Sequence, residues 1–195
     1  MAALALVATC ASSASASILV FTDQFLYNAY TTSYSHALEN FDSYSGNFTG
    51  GVAGVSGQVN WSATATSGVA VVGGRLGASA SEPLTLSFSG SATVYGMGGN
   101  VFGTDAVGTA VPSLVFITLN DGTSYMNLID SANAFVGFVS TGAAITSMRV
   151  SAQSLPGGSP NVYPTLDNMD FAYVPAPGAF ALMGLAGLAG SRRRR

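Results

Sequence analysis

From residue 18 to residue 173 the chain is written in short runs that alternate apolar with small polar side chains. Leu84, Leu86 and Phe88 alternate with Thr85 and Ser87, and Val59 and Trp61 alternate with polar neighbours across 58–65. A period of two sends successive side chains to opposite faces of a strand, so such runs fit a sheet with one buried face and do not fit an amphipathic helix. Strands are expected at 18–21, 58–65, 69–72, 84–88, 94–95, 114–119, 124–128, 135–139, 145–150 and 166–173, about ten in all. Asn120-Asp121-Gly122-Thr123 is a strong hairpin signal between two of them. One short helix is expected after the first strand, with Thr22 as its cap and Phe25, Leu26 and Ala29 on its apolar face through Tyr30. Regularly spaced short strands broken by Gly, Ser and Asn predict an all-β fold, an antiparallel β-sandwich of jelly-roll type.

Charge narrows the function classes. The 195-residue chain contains no lysine, and of its six arginines only Arg75 and Arg149 lie within 17–173, against nine acids, a net of −7 for that stretch. Nucleic-acid binding rests on neutralising phosphates, and a body of this charge is excluded from it. Cys10 is the only cysteine. Neither a disulfide nor a thiolate metal centre is therefore available to the body, and its stability must come from packing or from a bound ion.

Both ends read as addresses. Ala2 to Ala8 is apolar, and Ala14-Ser15-Ala16 fits an A-x-A cleavage site, so residues 1–16, Cys10 included, are expected to be a signal peptide. At the other end, Val174-Pro175-Ala176-Pro177 is followed by an uncharged run over 179–190 and then by Arg192, Arg193, Arg194 and Arg195. The prolines end a strand and permit a helix just beyond them. A helix over 179–190 covers about 18 Å, against a hydrocarbon core of about 30 Å, so it is short for a permanent span. The arginines belong on the cytoplasmic side and would hold the segment as a stop-transfer tail while the body is exported.

The order of parts in 174–195, a proline-containing motif, a short hydrophobic helix and an arginine cluster, resembles the PEP-CTERM sorting signal, with Ala176 where that family carries Glu. The resemblance implies an exported bacterial protein whose tail is read by an exosortase-like membrane sorting protease, in a setting rich in extracellular polysaccharide. The body, taken as 17–173, looks like exported domains found ahead of such tails through Glu39-Asn40-Phe41-Asp42, Leu84-Thr85-Leu86-Ser87-Phe88, Gly98-Gly99-Asn100, Phe135-Val136-Gly137-Phe138 and Leu166-Asp167-Asn168-Met169. In carbohydrate-binding jelly rolls an acid near the first strand and an Asp in the last strand often share one Ca²⁺. The likeness to that arrangement names Glu39, Asp42 and Asp167 as candidate ligands; Asn100 with Asp105 is a second pair, and the plain alternative is acids that cap and bend turns.

Catalytic chemistry finds little to stand on. A nucleophilic triad needs a histidine, and His36 is the only one, in a polar stretch read as a solvated loop. Gly96-Met97-Gly98-Gly99-Asn100 is glycine-rich, but no lysine follows as a phosphate loop requires. Trp61, Tyr95, Tyr125 and Tyr163 are candidate stacking platforms for sugars, although the strand pattern places Trp61 between the sheets. Ser and Thr on exposed strand faces offer a further polar array. The sequence therefore predicts a non-enzymatic structural or adhesive protein of the cell surface or extracellular matrix. The alternative is a secreted glycan-acting hydrolase with a cleft of acids such as Glu39 and Glu82.

Overall fold

A computed structural model of the protein describes residues 17–175. The expected signal peptide, Ala176 and Pro177, the hydrophobic helix over 179–190 and Arg192 to Arg195 lie outside the described residues. Among those described, the chain forms β1 (Ile18–Phe21), α1 (Gln24–Thr31), β2 (Ser35–Glu39), β3 (Gly46–Phe48), β4 (Val52–Ser56), β5 (Val59–Thr64), β6 (Val69–Val72), β7 (Arg75–Ala78), β8 (Leu84–Ser89), β9 (Thr93–Thr104), β10 (Ala110–Val111), β11 (Ser113–Leu119), β12 (Ser124–Ile129), β13 (Phe135–Ser140), β14 (Ser147–Ser154) and β15 (Tyr163–Val174). No described helix is long and apolar enough to cross a membrane.

Two antiparallel sheets pack face to face. The nine-stranded sheet runs β1-β13-β9-β15-β7-β6-β3, with β10 on β9 and β2 on β15, and the six-stranded sheet runs β12-β11-β14-β8-β5-β4. Across the gap β9 lies against β11 and β14, and β15 against β14. Eight of the fourteen steps between consecutive described strands cross from one sheet to the other, so the two layers of the sandwich are interleaved along the chain. Five strands beyond the expected set appear, β2, β3, β4, β7 and β10. They are short or glycine-containing segments whose pairing is supplied by a neighbouring strand and not by their own pattern.

Period two becomes the core directly. Leu76, Leu166 and Val101 from one sheet and Leu84, Leu86, Val115, Ile117 and Val150 from the other are essentially fully buried. Each such side chain contributes about 1.5–3 kcal/mol. Phe88 and Phe171 meet edge to face across the gap, ring centres 5.1 Å apart. At the Asn120-Asp121-Gly122-Thr123 turn, the Asp121 carboxylate accepts from the Thr123 amide at 2.9 Å, as the hairpin signal requires. Between β6 and β7, Gly73 and Gly74 both take positive φ (58° and 73°), the two-residue geometry that matches strand twist.

The helix departs from expectation in cap and in face. Asp23, not Thr22, is the N-cap, and its carboxylate accepts the Leu26 amide at 2.9 Å. Phe25 and Leu26 are exposed at 78% and 57%, while Tyr27 and Thr31, one turn apart, are buried. The reason lies in the sheet beneath. Gly96 and Gly98 of β9 and Gly137 of β13 present no side chain on this face, and Tyr27 rests on Gly137 while its hydroxyl reaches Gly96. The glycine-rich segment expected only as a poor phosphate loop is thus the seat of α1.

Candidate functional site

α1 lies on the outer face of the nine-stranded sheet over β1, β9 and β13, at Gly96 and Gly137. Further along the same face lies an open hollow of about 420 Å³. Antiparallel register builds its floor: Thr165 pairs with both Gly77 and Phe102, and Tyr163 pairs with Thr104, so these residues point to the same side. Thr104 and Thr165 share a hydroxyl–hydroxyl hydrogen bond of 3.0 Å and are almost fully buried. Ala70 and Gly77 keep the floor shallow, while Tyr163, Val72 and Val107 supply apolar rims and Asn47 an amide.

The loop from Asp105 to Gly108 forms one wall. The Asp105 carboxylate accepts backbone amides from Val107 (3.0 Å) and Thr109 (2.8 Å), and Gly108 takes φ 83°, so the loop is held in shape by its own acid. Val107, 80% exposed, crests it, and a second hollow of about 200 Å³ lies beyond, bounded by Ser159 to Asn161. Arg75 reaches from β7 to this loop, its guanidinium donating to the Gly108 carbonyl at 3.3 Å, 3.9 Å from the Asp167 carboxylate and over the Phe102 ring at 5.5 Å. Three contacts hold one long side chain in a fixed orientation.

The candidate metal ligands separate into two places. Glu39 pairs with the buried Met169, on the inner side of its sheet, and is itself buried. Its carboxylate accepts from Ser56 Oγ (2.7 Å), Trp61 Nε1 (2.9 Å) and the Phe41 amide (2.9 Å). Asp167 is on the outer face beside Arg75, and Asp42 is near enough to raise its pKa. Asp42 is engaged by Asn40 Nδ2 at 2.7 Å and sits against Gly74 of the β6–β7 turn. Asp42, against Gly74, and Asp167 both lie near Arg75, whereas Glu39 is turned to the inner side, committed to three donors. Among the described residues no three His, Cys, Asp or Glu side chains gather as a metal centre would require. Burial is the main cause that holds the Asp167 carboxyl above its ordinary value of 3.8, with Arg75 opposing.

Asn100 and Asp105 do not form a pair. Asn100 lies next to Asn168, whose amide donates to it at 3.3 Å, and Asp105 is spent on its loop. Glu82 accepts from the Ser67 amide at 2.5 Å and from its hydroxyl at 3.3 Å, clamping the turn before β6. His36 is not in a solvated loop but on β2, where Nδ1 meets the Asp170 carboxylate at 2.7 Å and Nε2 the Thr31 carbonyl at 3.1 Å. Both ring nitrogens are occupied by oxygens that bind the strand to the end of α1, which leaves neither free to serve a nucleophile.

Of the four aromatic candidates only Tyr163 lines the hollow. Trp61 is buried between the sheets, edge to face with Phe41 and Tyr44. Tyr125 meets Phe138 inside, and Tyr95 lies beside Tyr34. Thr104, Thr165 and Val107 carry no sequence signal that points to a site, and Asn47 stands out only as the start of an Asn-Phe-Thr sequon. The one available signal was Arg75, which stands beside Gly73-Gly74 as one of two cations in the body. The chain matches no family model and no curated protein.

Proposed function

We propose that the protein is an exported bacterial cell-surface or matrix protein, sorted through its C-terminal tail, whose body holds an extracellular polysaccharide without cleaving it. The observation that carries the reading is the hollow on the outer sheet: apolar rims from Tyr163, Val72 and Val107 around a floor of hydroxyl and amide groups. A sugar ring has the matching character, apolar C–H faces edged by hydroxyls, and an aromatic ring is a natural platform for it. The second hollow beyond Val107 favours a chain of several sugars over a single one. Asp105 is the only carboxylate in the lining of either hollow, and its position in the turn gives it a structural task.

The ends of the body support the same reading. Ile18 pairs with Ser140 and Val174 with Thr93, so both described ends leave from one end of the sandwich. Tyr163 and Thr104 are at the other end of the twelve-residue β15, about 36 Å away at ~3.3 Å per residue. A tail held at a membrane would point the hollow outward. The test is a pull-down of the full chain on insoluble glycans and on matrix polysaccharide from a producing bacterium, with soluble sugar assayed in parallel. Retention without released sugar, lost in Tyr163→Ala, is expected; released sugar that disappears in Glu39→Gln or Glu82→Gln would establish a hydrolase instead.

A further inference from the structure

The hollow also carries information about the charge of what it takes. Arg75 is its only cation, and the guanidinium is already directed to the Gly108 carbonyl and the Asp167 carboxylate. Around it stand three carboxylates: Asp105 in the wall, Asp167 beside Arg75, and Asp42 against Gly74, the residue before Arg75. The remaining cation of the body, Arg149, is on β14 of the opposite sheet. An anion entering here meets one compensated positive charge and a negative surround, on a body that is itself negative overall. Even screened by salt, charges within a Debye length of about 8 Å repel.

The uncharged groups of the lining fit a different guest. Thr104 and Thr165 form the buried hydroxyl floor, Asn47 adds an amide, and the N–H groups of a fixed Arg75 can donate without needing an anionic acceptor. Tyr163 and Val107 offer apolar contact, which needs no charge. We propose that the hollow selects uncharged glycans and rejects glycans that carry carboxylate or sulfate. The proposal rests on the glycan-binding reading and adds to it the class of ligand.

The experiment measures binding of the full chain to an uncharged set (soluble β-glucan, cellulose oligomers, dextran) and to an anionic set (alginate, hyaluronate), with EDTA present to remove bridging cations. The Tyr163→Ala variant is run beside it. Because the arginine tail can attract anions by itself, the quantity read is the part of binding that Tyr163→Ala removes. Tyr163→Phe, which retains the ring, serves as the folding and stacking control. At least one uncharged glycan is expected to lose tenfold or more in affinity in Tyr163→Ala and little in Tyr163→Phe, while no anionic glycan shows a Tyr163-dependent part. Asp42→Asn combined with Asp105→Asn is expected to let anionic glycans gain a Tyr163-dependent part. Tyr163-dependent binding of alginate or hyaluronate as tight as that of any uncharged glycan overturns the charge selection and leaves glycan binding standing. Absence of any Tyr163-dependent binding overturns both.

Discussion

Single residues in this protein work by closing hydrogen-bond accounts that the pattern of the chain leaves open. Glu39 is the clearest case: three donors, the Ser56 hydroxyl, the Trp61 indole and the Phe41 amide, converge on one buried carboxylate. Phe41 holds a positive φ of 57°, unfavourable for a bulky residue, and the same carboxylate fixes its amide. Glu39→Ala is expected to cost about 3 kcal/mol, since it strands several buried donors at once, and Glu39→Gln less; urea unfolding of the two variants measures both. Asp167 and Asp170 act in the opposite sense. Burial raises the pKa of each, outweighing Arg75 at the first and His36 at the second. A carboxyl whose folded pKa exceeds its unfolded value binds its proton more tightly in the native state. Stability is therefore fully present below the ordinary value of 3.8 and falls as pH rises through the raised value. Asp167→Asn is expected to flatten that part of the curve, read from melting temperatures taken upward from pH 4.

At the scale of elements, the strands were legible and the helix only in part. Alternation marks β5 and β8, because burial of one face is written into every second residue. The helix was found, but its buried side was misassigned: Phe25 and Leu26 are more hydrophobic than Thr31, yet Thr31 is the residue that packs. The face of a helix this short is set by what lies beneath it, and here that is a patch of glycines on two strands distant in sequence. Gly137→Val would drive a side chain into Tyr27 and Phe135. We expect a loss of roughly 1–3 kcal/mol and faster amide exchange in α1, while β11 and β14 remain protected; equal acceleration everywhere would show that α1 is not a separable element. The hydroxyl array expected on exposed strands is present as well, as Thr64, Thr85 and Thr118 in register with Arg149 across the outer face of the six-stranded sheet.

For the whole molecule, the separation of the hollow from the exit of the tail is the organising feature, and the tail supplies its own prediction. Replacing Arg192 to Arg195 with Ser is expected to release or mislocalise the protein, read by fractionating cells and by intact mass, because the positive stop is removed; unchanged membrane retention would count against that mechanism. The separation itself was beyond reach of sequence reading. Alternation, turn residues, charge and the tail are local properties, carried by neighbours within a few positions, so the sequence alone determined an antiparallel two-sheet sandwich, and it proposes a body unsuited to nucleic acid and a C-terminal sorting signal. The hollow is a sum over distance in sequence. Asn47, Arg75, Thr104 and Tyr163 become one lining only when β3, β7, β9 and β15 are assembled, and Glu39 leaves Asp167 because it pairs with the inward Met169 of β15, which the irregularity between Asp167 and Asp170, with Asn168 at φ 49°, turns to the face opposite Asp167. Which side chains share a face, and which carboxylates meet, was decided by strand register and sheet order, quantities fixed by long-range pairing and packing that no local pattern contains.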